Sequence, residues 1–205
     1  MRFFIVGLLL AAPLQAQTTP VFTDGDRAEK VAATAANVDQ KFREYAERQH
    51  MPGLAYGVVV EGDLVYSGAS GFANLESATP ADTRSLFRIA SMSKSVTAMA
   101  VLQLRDQGRL SLDDPISMYV PETAALTYLT TDAPEITIRH LLSHSAGFPE
   151  DNPWGDRQLA DSDAELMELI EGGISFSNVA GIEYEYSNLG FALLGQIVQV
   201  VSGVD

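Results

Sequence analysis

The 205-residue sequence contains no cysteine. That excludes a disulfide framework and a lipid-modified cysteine, so stability has to come from a packed core. Positive charge is scarce: 13 Lys and Arg stand against 27 Asp and Glu, a formal net charge of −14. Such a balance argues against nucleic acid and against an anionic membrane surface as partners. There is no internal repeat and no low-complexity tract. The apolar run near the N-terminus, Phe3 to Ala12, is too short for a comfortable transmembrane helix, so no stable membrane span is expected. Arg2 precedes that run, and Leu14-Gln15-Ala16 places a small residue before Gln17. Residues 1–16 therefore read as a signal peptide and the protein as periplasmic or secreted, an uncleaved anchor being the alternative. What remains is ordinary globular material, 46% hydrophobic and 20% charged, enough for one domain or somewhat more.

Asp26 to Gln49 reads as one long helix, with Val31, Val38, Phe42 and Tyr45 at helical spacing, stopped by His50-Met51-Pro52-Gly53. A β-hairpin follows: Leu54 to Val60, a turn at Glu61-Gly62-Asp63, and a return over Leu64 to Ala69. Its first strand is apolar on both faces, which predicts a sheet covered front and back. Residues 72–86 read as a polar connection. Further helices are predicted from Ser91 to Gln107, from Ile138 to Ser143, after the capping box Ser162-Asp163-Ala164-Glu165, and from Leu189 to Val201. Asp113-Asp114-Pro115 marks a turn with a short helical piece behind it. Two strands come early and the rest is helical. A lone hairpin is marginal in water, so the chain reads as the N-terminal portion of a longer protein.

Ser91-Met92-Ser93-Lys94 places a hydroxyl and an amine three residues apart where a helix begins. A serine alcohol is a poor nucleophile near neutral pH unless a base or a local field assists it. On a helix, i and i+3 share a face, so Lys94 can reach the Ser91 oxygen. The helix N-terminus adds partial positive charge and free N–H groups that favour a developing oxyanion. This is the layout of a serine–lysine acyl-transfer site. The alternative for Ser91 is a simple helix cap. A second element, Tyr184-Glu185-Tyr186-Ser187-Asn188, precedes another apolar helix. There Tyr186 is either functional or a core aromatic with its hydroxyl satisfied, and Asn188 is a functional amide, an N-cap, or both.

Five stretches, Pro52-Gly53-Leu54-Ala55, Leu86 to Lys94, Leu110 to Pro115, Ile136 to Pro149 and Tyr186 to Gly195, resemble the serine β-lactamase and penicillin-binding-protein superfamily, most closely its class C-like branch. That branch holds class C β-lactamases, D-alanyl-D-alanine carboxypeptidases and related esterases. The resemblance runs from about residue 30 to the end. It implies an α/β (α+β), β-lactamase-like fold: an antiparallel sheet flanked by helices plus an all-helical region, with the C-terminal strands missing from this chain. On that expectation residues 17–205 are the incomplete N-terminal portion of one serine hydrolase domain. The resemblance implies Ser91 as the acylated nucleophile, with one oxyanion donor in its own N–H. It further implies Lys94 and Tyr186 as the proton-handling pair and Asn188 as a contact to substrate amide and lysine. Lys94 and Tyr186 side by side would titrate as a unit, so no single base is assigned. The partner implied is a small-molecule or peptide substrate carrying an amide, ester or β-lactam carbonyl; no cofactor and no metal are implied. A non-catalytic penicillin-recognising or interaction module is the alternative, and an inactive truncated fragment a third. The chain departs from the pattern in having Ala180-Gly181 for the family's Pro-Gly and in reaching Asp205 before the family's third motif.

His140 and His144 stand at i and i+4, a zinc spacing, but lack the intervening glutamate and an evident third ligand. A Ser-His-Asp triad through His144 lacks a G-x-S-x-G elbow. Glu183 and Glu185 read as solvated charges or local electrostatic tuning rather than a carboxylate pair.

Overall fold

The computed structural model describes residues 23–150 and 161–204. The expected signal peptide, residues 1–16, lies outside the described residues. The chain divides into two compact units at Phe87/Arg88.

In the first unit, the predicted long helix is two: α1 (Arg27–Ala32) and α2 (Ala35–Arg48). The periodicity was right and the continuity was not. The Thr34 hydroxyl donates to the Val31 carbonyl at 2.7 Å, a local side-chain bond that competes with the helix ladder. Strands β1 (Gly53–Val60) and β2 (Asp63–Asn74) form the predicted antiparallel hairpin, with Val60 paired to Asp63. The turn is therefore only Glu61 and Gly62, both at positive φ (54° and 94°), as a primed two-residue turn requires. A bulge falls between Val58 and Val59. The polar connection also needs correcting: β2 continues to Asn74, and Thr79–Pro80 pairs with it as β3, giving the order β1-β2-β3. Apolar patterning cannot reveal a two-residue edge strand of this kind.

α2 is fastened to the hairpin by one polar knot. Asp39 accepts from Arg43 at 2.7 and 3.2 Å and from the Tyr56 hydroxyl, while Phe42 stacks on Tyr56 with ring centroids 4.2 Å apart. Arg43, then Tyr56, hold the Asp39 carboxyl down to about 2. A depressed folded pKa stabilises above the ordinary carboxylate range, near pH 4, and that contribution is lost as pH falls toward 2. The protection of α2 amides, referred to their intrinsic exchange rates, should therefore fall between pH 4 and 2. Asp39→Asn should show the lowered protection already at pH 6 and lose the pH step; a step that survives the substitution would assign it elsewhere.

The second unit is helical: α3 (Ser93–Asp106), α4 (Ile138–Leu142), α5 (Asp163–Glu171) and α6 (Asn188–Ser202), with short 3-10 turns between them. α6 is apolar nearly all round and packs against both α3 and α4. Leu193, Leu194 and Ile197 are sealed from water among Val101 and Leu104 of α3, Ile138 and Leu141 of α4, and Leu166 and Ile170 of α5. Each such side chain contributes about 1.5–3 kcal/mol by burial. The predicted capping box is formed: Glu165 N–H donates to the Ser162 hydroxyl at 3.4 Å and Ser162 N–H to the Glu165 carboxylate at 2.7 Å. Gly108 and Gly203, at φ 69° and 74°, stand just past the ends of α3 and α6. No helix among the described residues is long and apolar enough to cross a membrane.

Candidate active site

Ser91 is not the cap of α3. It lies in a 3-10 turn, Ala90–Met92, that leads into the helix, and Met92 holds the cap position without a side-chain bond. Ala90, directly before it, takes φ +47°, a region that a residue with a Cβ enters at a cost and that often accompanies functional positions. The turn leaves Ser91 exposed at the mouth of the helix while Lys94 is half-buried. Lys94 Nζ reaches back to Ser91 Oγ at 3.4 Å, as the three-residue spacing predicts.

α3 and α6 bring the second predicted element to the first. The Tyr186 and Ser91 hydroxyls share a hydrogen bond of 2.7 Å, and Lys94 Nζ donates to Asn188 Oδ1 at 2.5 Å. The same ammonium stands 4.8 Å from the Tyr186 ring centroid and 5.7 Å from that of Phe191, in reach of cation–π attraction. All four predicted residues are thus in one cluster within the second unit. The cap of α6 is Ser187, whose hydroxyl accepts the Gly190 N–H at 3.0 Å, so Asn188 is the first helical residue and its side chain is committed to Lys94.

The two histidines do something other than the zinc spacing advertises. His140 Nδ1 accepts the Thr137 N–H at 3.2 Å and closes the capping box of α4. Burial pushes its pKa below the ordinary histidine value, in keeping with a ring that must stay neutral to accept. His144 Nδ1 accepts the Ser187 N–H at 3.1 Å, and its ring packs on Tyr184, Tyr186 and Phe191. Among the described residues no group of three or more His, Asp and Glu side chains is placed to hold a metal ion.

Glu185, expected as a solvated charge or a local electrostatic influence, is a hydrogen-bonded anchor. Its carboxylate accepts from the Ser177 hydroxyl and, at 2.8 Å, from Asn178 Nδ2, tying down the loop that precedes Tyr186. The alternation Glu183-Tyr184-Glu185-Tyr186 held the signal that these side chains face opposite ways, but not which side finds partners.

A family model described as Beta-lactamase matches residues 38–205. Among curated proteins, Esterase EstB of Burkholderia gladioli is 30% identical over 186 residues, covering 84% of this chain and 46% of its own length. Protein flp of Staphylococcus aureus (strain N315) is 29% identical over 167 residues, covering 80% and 33%. Among solved structures, a class C beta-lactamase superposes with TM-score 0.69 at 26% identity over 90% of this chain and 48% of its own. The octameric penicillin-binding protein homologue from Pyrococcus abyssi gives TM-score 0.69 at 28% identity over 83% and 40%. The chain thus spans less than half the length of these relatives.

Proposed function

Because the chain belongs to the beta-lactamase family, with residues 38–205 matching its model, we propose that it is built for serine acyl transfer, with Ser91 as nucleophile. The observation that carries this reading is the 2.7 Å bond between the Ser91 and Tyr186 hydroxyls, with Lys94 Nζ 3.4 Å from the same serine oxygen. Ser91 Oγ adds to an amide, ester or β-lactam carbonyl and yields its proton to the Tyr186–Lys94 pair. The tetrahedral intermediate collapses, the pair returns the proton to the leaving nitrogen or oxygen, and an acyl-enzyme remains on Ser91. Water, giving up a proton to the same pair, then attacks the ester; the ester bond breaks, the pair hands that proton to Ser91 Oγ, and the acid is freed. The Ser91 N–H, at the head of the turn entering α3, supplies one donor to the oxyanion. Asn188 fixes Lys94 and offers its amide to the substrate.

Lactams, D-amino-acid peptides and simple esters all present such a carbonyl, and EstB is itself named an esterase. The leader pattern of residues 1–16 supports a periplasmic or secreted location.

The test is mass analysis of the purified chain after a fluorophosphonate, a penicillin and a p-nitrophenyl ester. A single adduct on the Ser91 peptide, absent from Ser91→Ala, is expected. An adduct that forms with penicillin and never turns over would favour the penicillin-recognising module instead. No adduct with any of the three, on a chain shown folded by circular dichroism, would end the acyl-transfer reading.

A further inference from the structure

His144 lies two residues beyond α4 at φ +54° and bears on Tyr186 from three directions. Its carbonyl accepts the Glu185 N–H at 2.8 Å. Its Nδ1 accepts the Ser187 N–H at 3.1 Å. Its ring lies against the Tyr186 ring, centroids 4.7 Å apart and planes at 31°. The backbone N–H groups of the residues on either side of Tyr186, and the side chain of Tyr186 itself, are therefore referred to one residue. Phe191 and Tyr184 close on the His144 ring at 5.0 and 5.5 Å and keep it from turning away.

We propose that His144 is the positioning residue for Tyr186, holding its phenol at hydrogen-bonding distance from Ser91 through this three-point clamp. The inference rests on the acyl-transfer reading above, since it matters only if the Tyr186–Ser91 bond does chemistry. The tyrosine hydroxyl lies on the axis of the ring flip, so its position is set by the backbone and by rotation about Cα–Cβ, and it stands at the far end of that lever. Holding the backbone at residues 185 and 187 restricts the direction of the Tyr186 Cα–Cβ bond, and the stacked ring limits rotation about it. Misplacing a reacting group by an ångström costs on the order of 10²-fold in rate. The bond at Nδ1 also dictates the tautomer: an accepting Nδ1 has its lone pair free, so the neutral ring carries its proton on Nε2.

The clamp has separable parts. His144→Phe keeps a ring and loses the acceptor. His144→Asn keeps an acceptor oxygen near the place of Nδ1 and tolerates the left-handed backbone, but loses the ring. The experiment measures the second-order rate of Ser91 labelling by a fluorophosphonate on the 205-residue chain, with circular dichroism confirming that each variant is folded at the temperature used. His144→Phe should label about 10–100-fold more slowly, and His144→Asn should recover part of the loss. In a Tyr186→Phe background the same substitutions should change the rate little, because the group they position is gone. A His144→Phe protein that is folded and labels at the wild-type rate overturns the proposal. So does an effect of equal size in both backgrounds, which marks general loosening of the structure. Long-range ¹H–¹⁵N spectra of the imidazole give a readout independent of labelling: a proton on Nδ1 at neutral pH overturns the clamp even where variants fail to fold. If the wild-type chain takes no label, the acyl-transfer reading fails, and the tautomer spectrum still decides whether the clamp exists.

Discussion

Tyr186→Phe should slow acylation of Ser91 by about 10²–10⁴-fold, the usual worth of a positioned proton-transfer group, without unfolding the protein. The substitution removes one oxygen. The ring keeps its stack on His144 at 4.7 Å and its place under the Lys94 ammonium at 4.8 Å, so packing is conserved. What goes is the 2.7 Å bond to Ser91, leaving Lys94 Nζ at 3.4 Å as the remaining proton-handling candidate beside the serine oxygen. The check is the labelling rate with thermal unfolding run alongside. A variant as fast as wild type and equally stable would mean that the proton leaves Ser91 by way of Lys94, and that the phenol only packs.

Gly147→Ala is the corresponding test of structure, and it should destabilise the second unit by about 3–5 kcal/mol, in the range reserved for a named backbone defect. Gly147 holds φ +83°, which costs a residue with a Cβ about 1–2 kcal/mol on its own. A Cβ built there would stand 2.2 Å from the Asn178 carbonyl oxygen and 3.0 Å from its carbon. Backbone, unlike the end of a side chain, cannot step aside cheaply. The Gly147 carbonyl meanwhile accepts from the Ser177 and Asn178 N–H groups at 3.0 and 3.4 Å, and these are the two residues that hold the Glu185 carboxylate. Pushing the 177–178 segment away therefore strains all four of these hydrogen bonds at once. The expected drop in Tm is about 10 °C for a chain of this size. A fall of less than about 2 °C would show that the loop relaxes without loss, and that Gly147 is replaceable.

Legibility followed the range of the interactions involved. Where an element is bounded by chemistry within four residues, the sequence announces it. Ser162 and Glu165 open α5, Gly108 and Gly203 close α3 and α6, and the Ser91/Lys94 pair is a spacing on one helical turn. The failures were also local in span but invisible to apolar periodicity. Thr34 breaks a pattern that continues on both sides of it, and Thr79–Pro80 is too short to show alternation. The arrival of Tyr186 and Asn188 beside Ser91 and Lys94 depends on helices packing, and only the family resemblance anticipated it. The roles of His144 and Glu185 were hidden for a further reason. Each is defined by a partner from another segment, 43 residues away for His144 and Ser187, and the residue type alone fits several roles. A histidine pair at i and i+4 advertises zinc as readily as it does two backbone amides waiting for an acceptor.

The junction of α3 with α6 has a consequence for how this protein reports on itself. Ser91 and Tyr186 are 95 residues apart in the chain and meet only because Val101 and Leu104 of one helix seat against Leu193, Leu194 and Ile197 of the other. Each helix could remain wound while that seam opened by an ångström or two, and ellipticity would hardly register the change. The covalent label would register it at once, because the serine would have lost its neighbour. On warming or in mild denaturant, the fall of Ser91 labelling should precede the loss of helix signal. Ser91 is in that sense a gauge of side-chain order, built into the protein and readable one molecule at a time.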